Sequence, residues 1–362
     1  MSNLFPEAKL AKNFRAQDIK KVDHLIRQSI SFSVVGMPAM GISIFLRFLA
    51  TTSLAYFVHI DINELTTLNK VDLLKLITKK LGGGSSLIQL QKLIQNHYRV
   101  VLIFNRFDRL KSEFTASFFA SLRPLRDIDK EKIVMIFSSN YPLIQLAPLA
   151  LSGGNLNMFS KSYYLTPYTQ SELVELLKLN SPNLITNDER YFNALRLSGG
   201  HYQLLQLLLK SDHILDNPLL DVAIKLQISA LYKYLNYSQK KQIQQIARGK
   251  KISILDKFLQ DVGLVNSKEN IFTSLLIDYV RSHNLIKLSF KERKLYQLLK
   301  ARLGKIVTKD EIITELWKNN YDQATDWALN SLIYRLRNNP TFEATGYIIE
   351  NQKKSGYVLL KV

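Results

Sequence analysis

The sequence predicts an α/β protein: a parallel sheet with helices on both faces, then a helical stretch, then two small units of winged-helix type. Three observations carry that prediction. Through the first 140 residues, short and continuously apolar runs alternate with amphipathic stretches, as in strands buried on both sides of a parallel sheet. From Tyr164 onward the strand signal stops and helical periodicity takes over. The chain then closes on helices with capping signals and on two strands around Lys353-Lys354-Ser355-Gly356.

In order, residues 1–30 read as an irregular lead-in and a helix over 16–27, with Ile19, Val22, Leu25 and Ile26 on one face. Residues 31–50, SFSVVGMPAMGISIFLRFLA, read as a buried strand, a glycine-bounded loop and the start of a helix. A strand over 54–60 ends at Asp61, and helices over 71–81 and 87–98 flank the break Gly82-Gly83-Gly84-Ser85-Ser86. Residues 99–110 form an apolar strand running into a polar turn, 116–122 a short helix, and 132–140 another buried strand. Thr169 and Glu172 make a capping box for a helix through Leu179, and helices over 188–197 and 202–210 flank Ser198-Gly199-Gly200. Residues 229–280 read as three helices, Gly263-Leu264-Val265, a short hairpin and one more helix, a small winged-helix-like unit. In the last segment Ser289 caps with Glu292 and Thr308 with Glu311, and a third helix covers 325–338.

Composition narrows the function. At 362 residues the chain exceeds one core, and with 46% apolar residues it folds. It has no cysteine, which excludes disulfides, thiolate metal sites and cysteine nucleophiles, and its six histidines show no i, i+3 or i+4 pairing that would suggest a metal site. The net charge is +19 and diffuse: residues 285–362 hold 14 basic against 8 acidic side chains, and the remainder 35 against 22. Such a surplus suits a polyanionic partner, nucleic acid or an anionic membrane surface, or serves solubility alone. Residues 1–12 lack the apolar core of a secretory signal, so a cytoplasmic protein is expected. The uncharged stretch 29–46 reaches the minimum length of a membrane span, but Gly36, Pro38, Gly41 and four serines interrupt it. Residues 133–160, also uncharged, are too polar to span.

The stretch Gly36-Met37-Pro38-Ala39-Met40-Gly41-Ile42-Ser43 follows the phosphate-loop pattern G-x-x-x-x-G-K-[ST] with both glycines and the serine. Ile42 stands where the phosphate-pairing lysine belongs, so the fold signal survives and the chemical one is damaged.

With a second strand ending at Asn105, a third ending at Asn140, the segment Tyr164-Leu165-Thr166-Pro167-Tyr168 and the turn Ser198-Gly199-Gly200-His201, residues 1 to about 280 resemble P-loop ATPases of the AAA+/STAND group, in particular relatives of origin-recognition proteins. The resemblance implies an ATPase-like core, a helical lid and a nucleotide site at Gly36, Gly41, Ser43, Asp108 and Asn140. It fails where catalysis would sit. The family's Asp-Glu at the end of the second strand, which holds Mg²⁺ and polarises water, is here Asn105-Arg106. The lid has Tyr202 where many relatives carry Pro, and no arginine between Arg126 and Arg190 suggests a finger. The expectation is therefore a pseudo-ATPase without a cofactor, its nucleotide site vestigial. Weak ATP or ADP retention through the loop's backbone N–H groups is the alternative, with Met37 and Met40 crowding the loop.

Residues 285–362 resemble the OmpR/PhoB-type winged-helix DNA-binding domain. The matching text is Leu288-Ser289, Glu292, the Leu295/Leu298/Leu299 face, Gly304, Val307 to Ile312, Glu315-Leu316-Trp317, Ile333 to Arg337 and Gly356-Tyr357-Val358-Leu359. On the third helix Leu329, Leu332, Ile333 and Leu336 share one face and are expected to bury. Trp327, Asn330, Ser331, Tyr334 and Asn338 then face away, flanked by Arg335 and Arg337, and the wing brings Lys353 and Lys354. Amides, hydroxyls and cations are what base edges and phosphates take up. The helix opens with Asp326-Trp327-Ala328 where the family is usually basic or carries Thr, which leaves Trp327 between a DNA contact and partial burial. Arg248-Gly249-Lys250-Lys251 in the middle unit is a basic loop that either meets phosphate or is simply solvated.

The expected organisation is a core over 1–165, a lid over 166–225, a middle unit over 226–284 and a reader over 285–362. The expected function is a DNA-binding transcriptional regulator whose inactive core is a scaffold, with double-stranded DNA as partner and itself or an active ATPase as further partners. A winged helix serving protein interaction, an origin-binding or mobile-element factor working with an ATPase, and a nucleotide-sensing switch are the alternatives.

Overall fold

The computed structural model describes residues 6–10, 13–180, 188–283, 288–317, 325–339, 342, 345–352 and 355–361. The chain divides into two compact units, Met1–Ile277 and Asp278–Val362.

The first unit is built on five parallel strands: β1 (Phe32–Val35), β2 (Tyr56–Asp61), β3 (Val100–Asn105), β4 (Ile133–Ser139) and β5 (Ser162–Tyr164), in the order β2-β3-β4-β1-β5. Every residue of β1, β3 and β4 is buried, which is why their sequences read as largely apolar runs, with Ser33, Asn105, Ser138 and Ser139 as buried polar members. Helices Ile42–Thr52, Lys70–Lys80, Ser86–Asn96 and Ala116–Asp127 alternate with the strands. The last of these runs beyond the expected end at residue 122, through Pro124, because Phe118, Phe119, Leu122 and Leu125 keep one face buried. Phe104, Phe107, Phe119, Phe137 and Phe159 are fully buried on that side, with the Phe107 and Phe137 ring centres 4.8 Å apart. Each such ring contributes about 2–3 kcal/mol of apolar burial. Residues 29–46, the uncharged candidate span, are instead strand, loop and helix. Among the described residues no helix is long and apolar enough to cross a membrane.

β5 was not expected. It has three half-buried residues at the sheet edge and no apolar run to announce it. After it come the helices Gln170–Asn180, Glu189–Ser198 and Tyr202–Lys210, the first opened by Thr169 and Glu172 in the reciprocal pattern read from sequence. Helices Val222–Lys233, Tyr237–Ala247 and Lys257–Asp261, one bridge between Val265 and Ile271, and helix Ser274–His283 form the winged-helix-like stretch.

In the second unit, helices Phe290–Ala301, Lys309–Leu316 and Asp326–Arg337 pack on an antiparallel sheet ordered β6 (Ile306–Val307), β8 (Gly356–Lys361), β7 (Tyr347–Gln352). The first two helices begin with complete capping boxes, Ser289/Glu292 and Thr308/Glu311, and Thr325 caps the third. Leu295, Leu299, Ile312, Leu329, Leu332, Ile333, Leu336 and Leu359 form the core, so the expected apolar face is the buried one.

Candidate functional site

The parallel register sets the first site. Asp61 pairs with Asn105 across β2 and β3, and Val34 and Val35 pair with Ser138 and Ser139 across β1 and β4. Four strand ends therefore meet beside the loop that follows β1, the edge of an open α/β sheet where ligands usually bind. Gly41, at φ 103°, turns the loop into helix Ile42–Thr52, whose first backbone N–H groups have no partner within the helix. A cleft of about 910 Å³ opens there.

Polar groups at the strand ends beside this cleft are engaged with one another. Ser43 Oγ donates to Asn105 Oδ1 at 3.0 Å, Ser138 Oγ donates to the same oxygen at 2.9 Å, and Asn105 Nδ2 donates to Asp61 at 3.3 Å. The Arg106 guanidinium donates to Asp61 Oδ1 at 2.7 Å, and the Arg106 backbone N–H reaches Ser138 Oγ at 2.6 Å. Burial raises the Asp61 carboxyl, but the Arg106 hydrogen bond leads the opposing contacts that leave it below its ordinary pKa. Asp108 accepts from the backbone N–H and the side-chain amide of Asn140, both at 3.0 Å, yet burial pushes its carboxyl upward. Met37 and Met40 are fully buried and form part of the wall.

The lid is tied to the loop itself. His201 Nδ1 accepts from the Leu204 backbone N–H at 3.1 Å, so Nε2 carries the proton that meets the Pro38 carbonyl at 2.9 Å. Full burial holds this imidazole at a pKa of about 4, neutral at pH 7. The Tyr168 hydroxyl donates to the Gly41 carbonyl at 3.2 Å, and the Arg15 guanidinium lies 4.0 Å from the Tyr168 ring centre. Arg15 also donates to the Thr166 carbonyl at 2.7 Å, which joins lead-in, lid and loop. None of these ties was read from the sequence.

The donor set does not fit a magnesium nucleotide. The residue beside the pattern's Ser43 hydroxyl is Asn105, an amide that brings no charge to a metal, and Ile42 replaces the phosphate-pairing lysine. Of the candidate residues, the structure brings Gly41, Ser43, Asp108 and Asn140 together around the cleft, and Gly36 stands at the base of the loop with its N–H on the Ser139 carbonyl. Arg47 and Lys233 also line it, the first bonded to Glu7 at 2.8 Å; sequence spacing gave no sign of either.

The second site is helix Asp326–Arg337. Trp327 is 79% exposed and Tyr334 69% exposed, and Asn330, Arg335, Arg337 and Asn338 are exposed beside them, with Ser331 half-buried. Trp327 is thus a surface residue, not packed against the preceding helix. Asn338 caps the helix, its amide donating to the Tyr334 carbonyl at 2.8 Å. Lys309 reaches Asp326 at 3.3 Å, so the one acidic residue of the first turn is paired. Lys353 and Lys354 lie outside the described residues.

The model of the family described as transcriptional regulatory protein, C terminal, matches residues 282–359. The C-terminal unit is a winged-helix domain of this family. The domain is of the DNA-binding class. The structure of the Walker-type ATPase PABY2304 of Pyrococcus abyssi is similar to this chain at 14% identity and a TM-score of 0.50, over 77% of this chain and 99% of that one. At that identity the likeness concerns fold alone, and it is the fold of a P-loop ATPase. The ORC1 protein of Aeropyrum pernix, solved in complex with DNA, matches at 10% identity and a TM-score of 0.43, over 97% of this chain and 89% of that one. No curated protein matches the chain. The chain therefore joins an ATPase-fold core to a transcription-regulator-type winged-helix domain.

Proposed function

We propose that this protein is a DNA-bound regulator of transcription whose ATPase-fold core holds the reader without hydrolysing ATP. The observation that carries the second half is the end of β3. The two side chains that would face metal and water are Asn105, tied to Ser43 and Ser138, and Arg106, ion-paired with Asp61. Phosphoryl transfer rests on charge stabilisation and positioning, so replacing the lysine, the aspartate and the glutamate together removes the machinery. The exposed row Trp327, Asn330, Tyr334 and its flanking arginines supports the first half, since it offers amide, aromatic and cationic groups of the kind that major-groove edges and phosphates accept.

The test uses the full-length chain. Selection from a random duplex pool at several salt concentrations should retain an enriched motif. Tight but sequence-blind binding that falls steeply with salt would instead favour an initiator-like or architectural role. In parallel, ATP turnover should stay at background. Turnover that Asp108→Asn abolishes would sink the scaffold reading, because Asp108 is the one carboxylate among the cleft's described lining residues.

A further inference from the structure

Asn330 lies on the exposed face of helix Asp326–Arg337, about one turn from Trp327 and one from Tyr334. Its amide is not left to rotate. The hydroxyl of Tyr357 donates to Asn330 Oδ1 at 2.7 Å. Tyr357 is 3% exposed and belongs to the apolar cluster that also holds Leu329, Leu332 and Ile333. It sits on β8, the middle strand, opposite Val307 on one side and Asn351 on the other. The anchor is therefore held by two ladders and a packed ring, and only its hydroxyl reaches the helix face.

A carboxamide is a fork with an acceptor on one prong and two donor hydrogens on the other. A free Asn offers either prong to a base. A hydroxyl can also accept, but in this structure it donates to Oδ1, which leaves Nδ2 as the prong turned away from the domain. In the major groove, purine N7 and guanine O6 accept hydrogen bonds, whereas cytosine presents its N4 amino donor. A donor held in place also loses less side-chain freedom on binding than one that must be ordered.

We propose that Tyr357 is a positioning residue for base readout, fixing the polarity of the Asn330 amide so that helix Asp326–Arg337 selects a purine over cytosine at one position of its DNA site. This rests on the groove-inserted reading of the helix given above. Tyr357 touches no base; it acts through Asn330.

The experiment is random-pool selection with the full-length protein at one fixed salt concentration, for wild type, Tyr357→Phe, Asn330→Ala and the double variant, alongside thermal melts and affinity for a mixed-sequence duplex. Wild type should enrich a purine and deplete cytosine at one position. Tyr357→Phe keeps the ring and the packing, so its melting and mixed-sequence affinity should hold while discrimination at that position falls about fivefold, the worth of one neutral hydrogen bond. Asn330→Ala should erase the same preference, and the double variant should lose no more than Asn330→Ala alone. Four results would overturn the proposal. Full preference in Tyr357→Phe where Asn330→Ala has none refutes the positioning role and leaves the groove reading standing. Cytosine enrichment at that position means Oδ1 is the outward prong. A fall in mixed-sequence affinity that tracks the loss of preference makes Tyr357 structural only. No positional change in Asn330→Ala removes the groove reading itself.

Discussion

His201 shows how a single buried side chain couples the lid to the loop, and it gives the molecule an acid limit. Folded, its imidazole is held at about 4 by burial, while in the unfolded chain it titrates near the ordinary 6.5. Between these values the unfolded state binds the extra proton. Stability is thus full above pH 6.5 and falls as pH drops toward 4, by an amount on the order of a few kcal/mol. Melting curves across that window should be steeper in wild type than in His201→Asn. An unchanged slope would move the sensitivity elsewhere, for example to His59, whose imidazole burial also holds at about 4. Glycine positions make a second residue-scale contrast. A Cβ on Gly200, at φ +89°, would lie 2.4 Å from the Tyr168 carbonyl oxygen and 2.7 Å from Pro167 Cβ, whereas one on Gly83, at φ +84°, would meet nothing within 4 Å. Gly83→Ala should then cost only the left-handed backbone strain, about 1 kcal/mol. Gly200→Ala should cost more than about 2 kcal/mol because backbone must move as well. Equal midpoint shifts in denaturant melts would mean that the lid turn is looser than its contacts imply.

Elements were legible where one local pattern dictates them. The S/T-x-x-E boxes at Ser289, Thr308 and Thr169 each gave the start of a helix, because cap and helix lie within four residues of one another. The buried strands were legible because a parallel sheet covered on both faces leaves no polar alternation. β5 and β6 were not, being three and two residues long and defined by their partners rather than by their own sequence. In the core site, the departures at Ile42, Asn105 and Arg106 were legible, but the bonds that tie Asn105 and Arg106 to residues 43, 61 and 138 are tertiary facts. Helix Asp326–Arg337 is the element whose proposed role follows most directly from its two faces. Arg337 is an exposed cation, so Arg337→Ala should weaken binding about evenly across sequences and lower the salt slope of log affinity by about 1. Trp327→Ala should change which sequences are retained and leave that slope alone, since an indole carries no charge. Salt titrations with selected and scrambled duplexes separate the two. If neither variant alters slope or preference, this helix does not enter the groove.

At the scale of the whole molecule, the question is whether the ATPase-fold core still informs the reader. A ligand shifts a protein between states only by as much as its affinity for them differs. In this chain the loop is tied through its carbonyls, Pro38 to His201 and Gly41 to Tyr168, and the Ser43 hydroxyl donates to Asn105, an amide without charge. A magnesium nucleotide bound there would gain none of the lysine and carboxylate contacts that stabilise it in an active site, since Ile42, Asn105 and Arg106 stand at those positions. The expected outcome is that about 1 mM ATP or ADP with magnesium leaves both the melting temperature and the DNA affinity of the full-length chain unchanged. Were the dissociation constant near 10 μM, mass action at that concentration would add about 2.7 kcal/mol of stability, a shift no melt would miss. A melting shift with unchanged DNA affinity would mean a retained but uncoupled nucleotide site. A shift in both, with the reciprocal effect of DNA on nucleotide affinity, would make the core a switch and reverse the scaffold assignment.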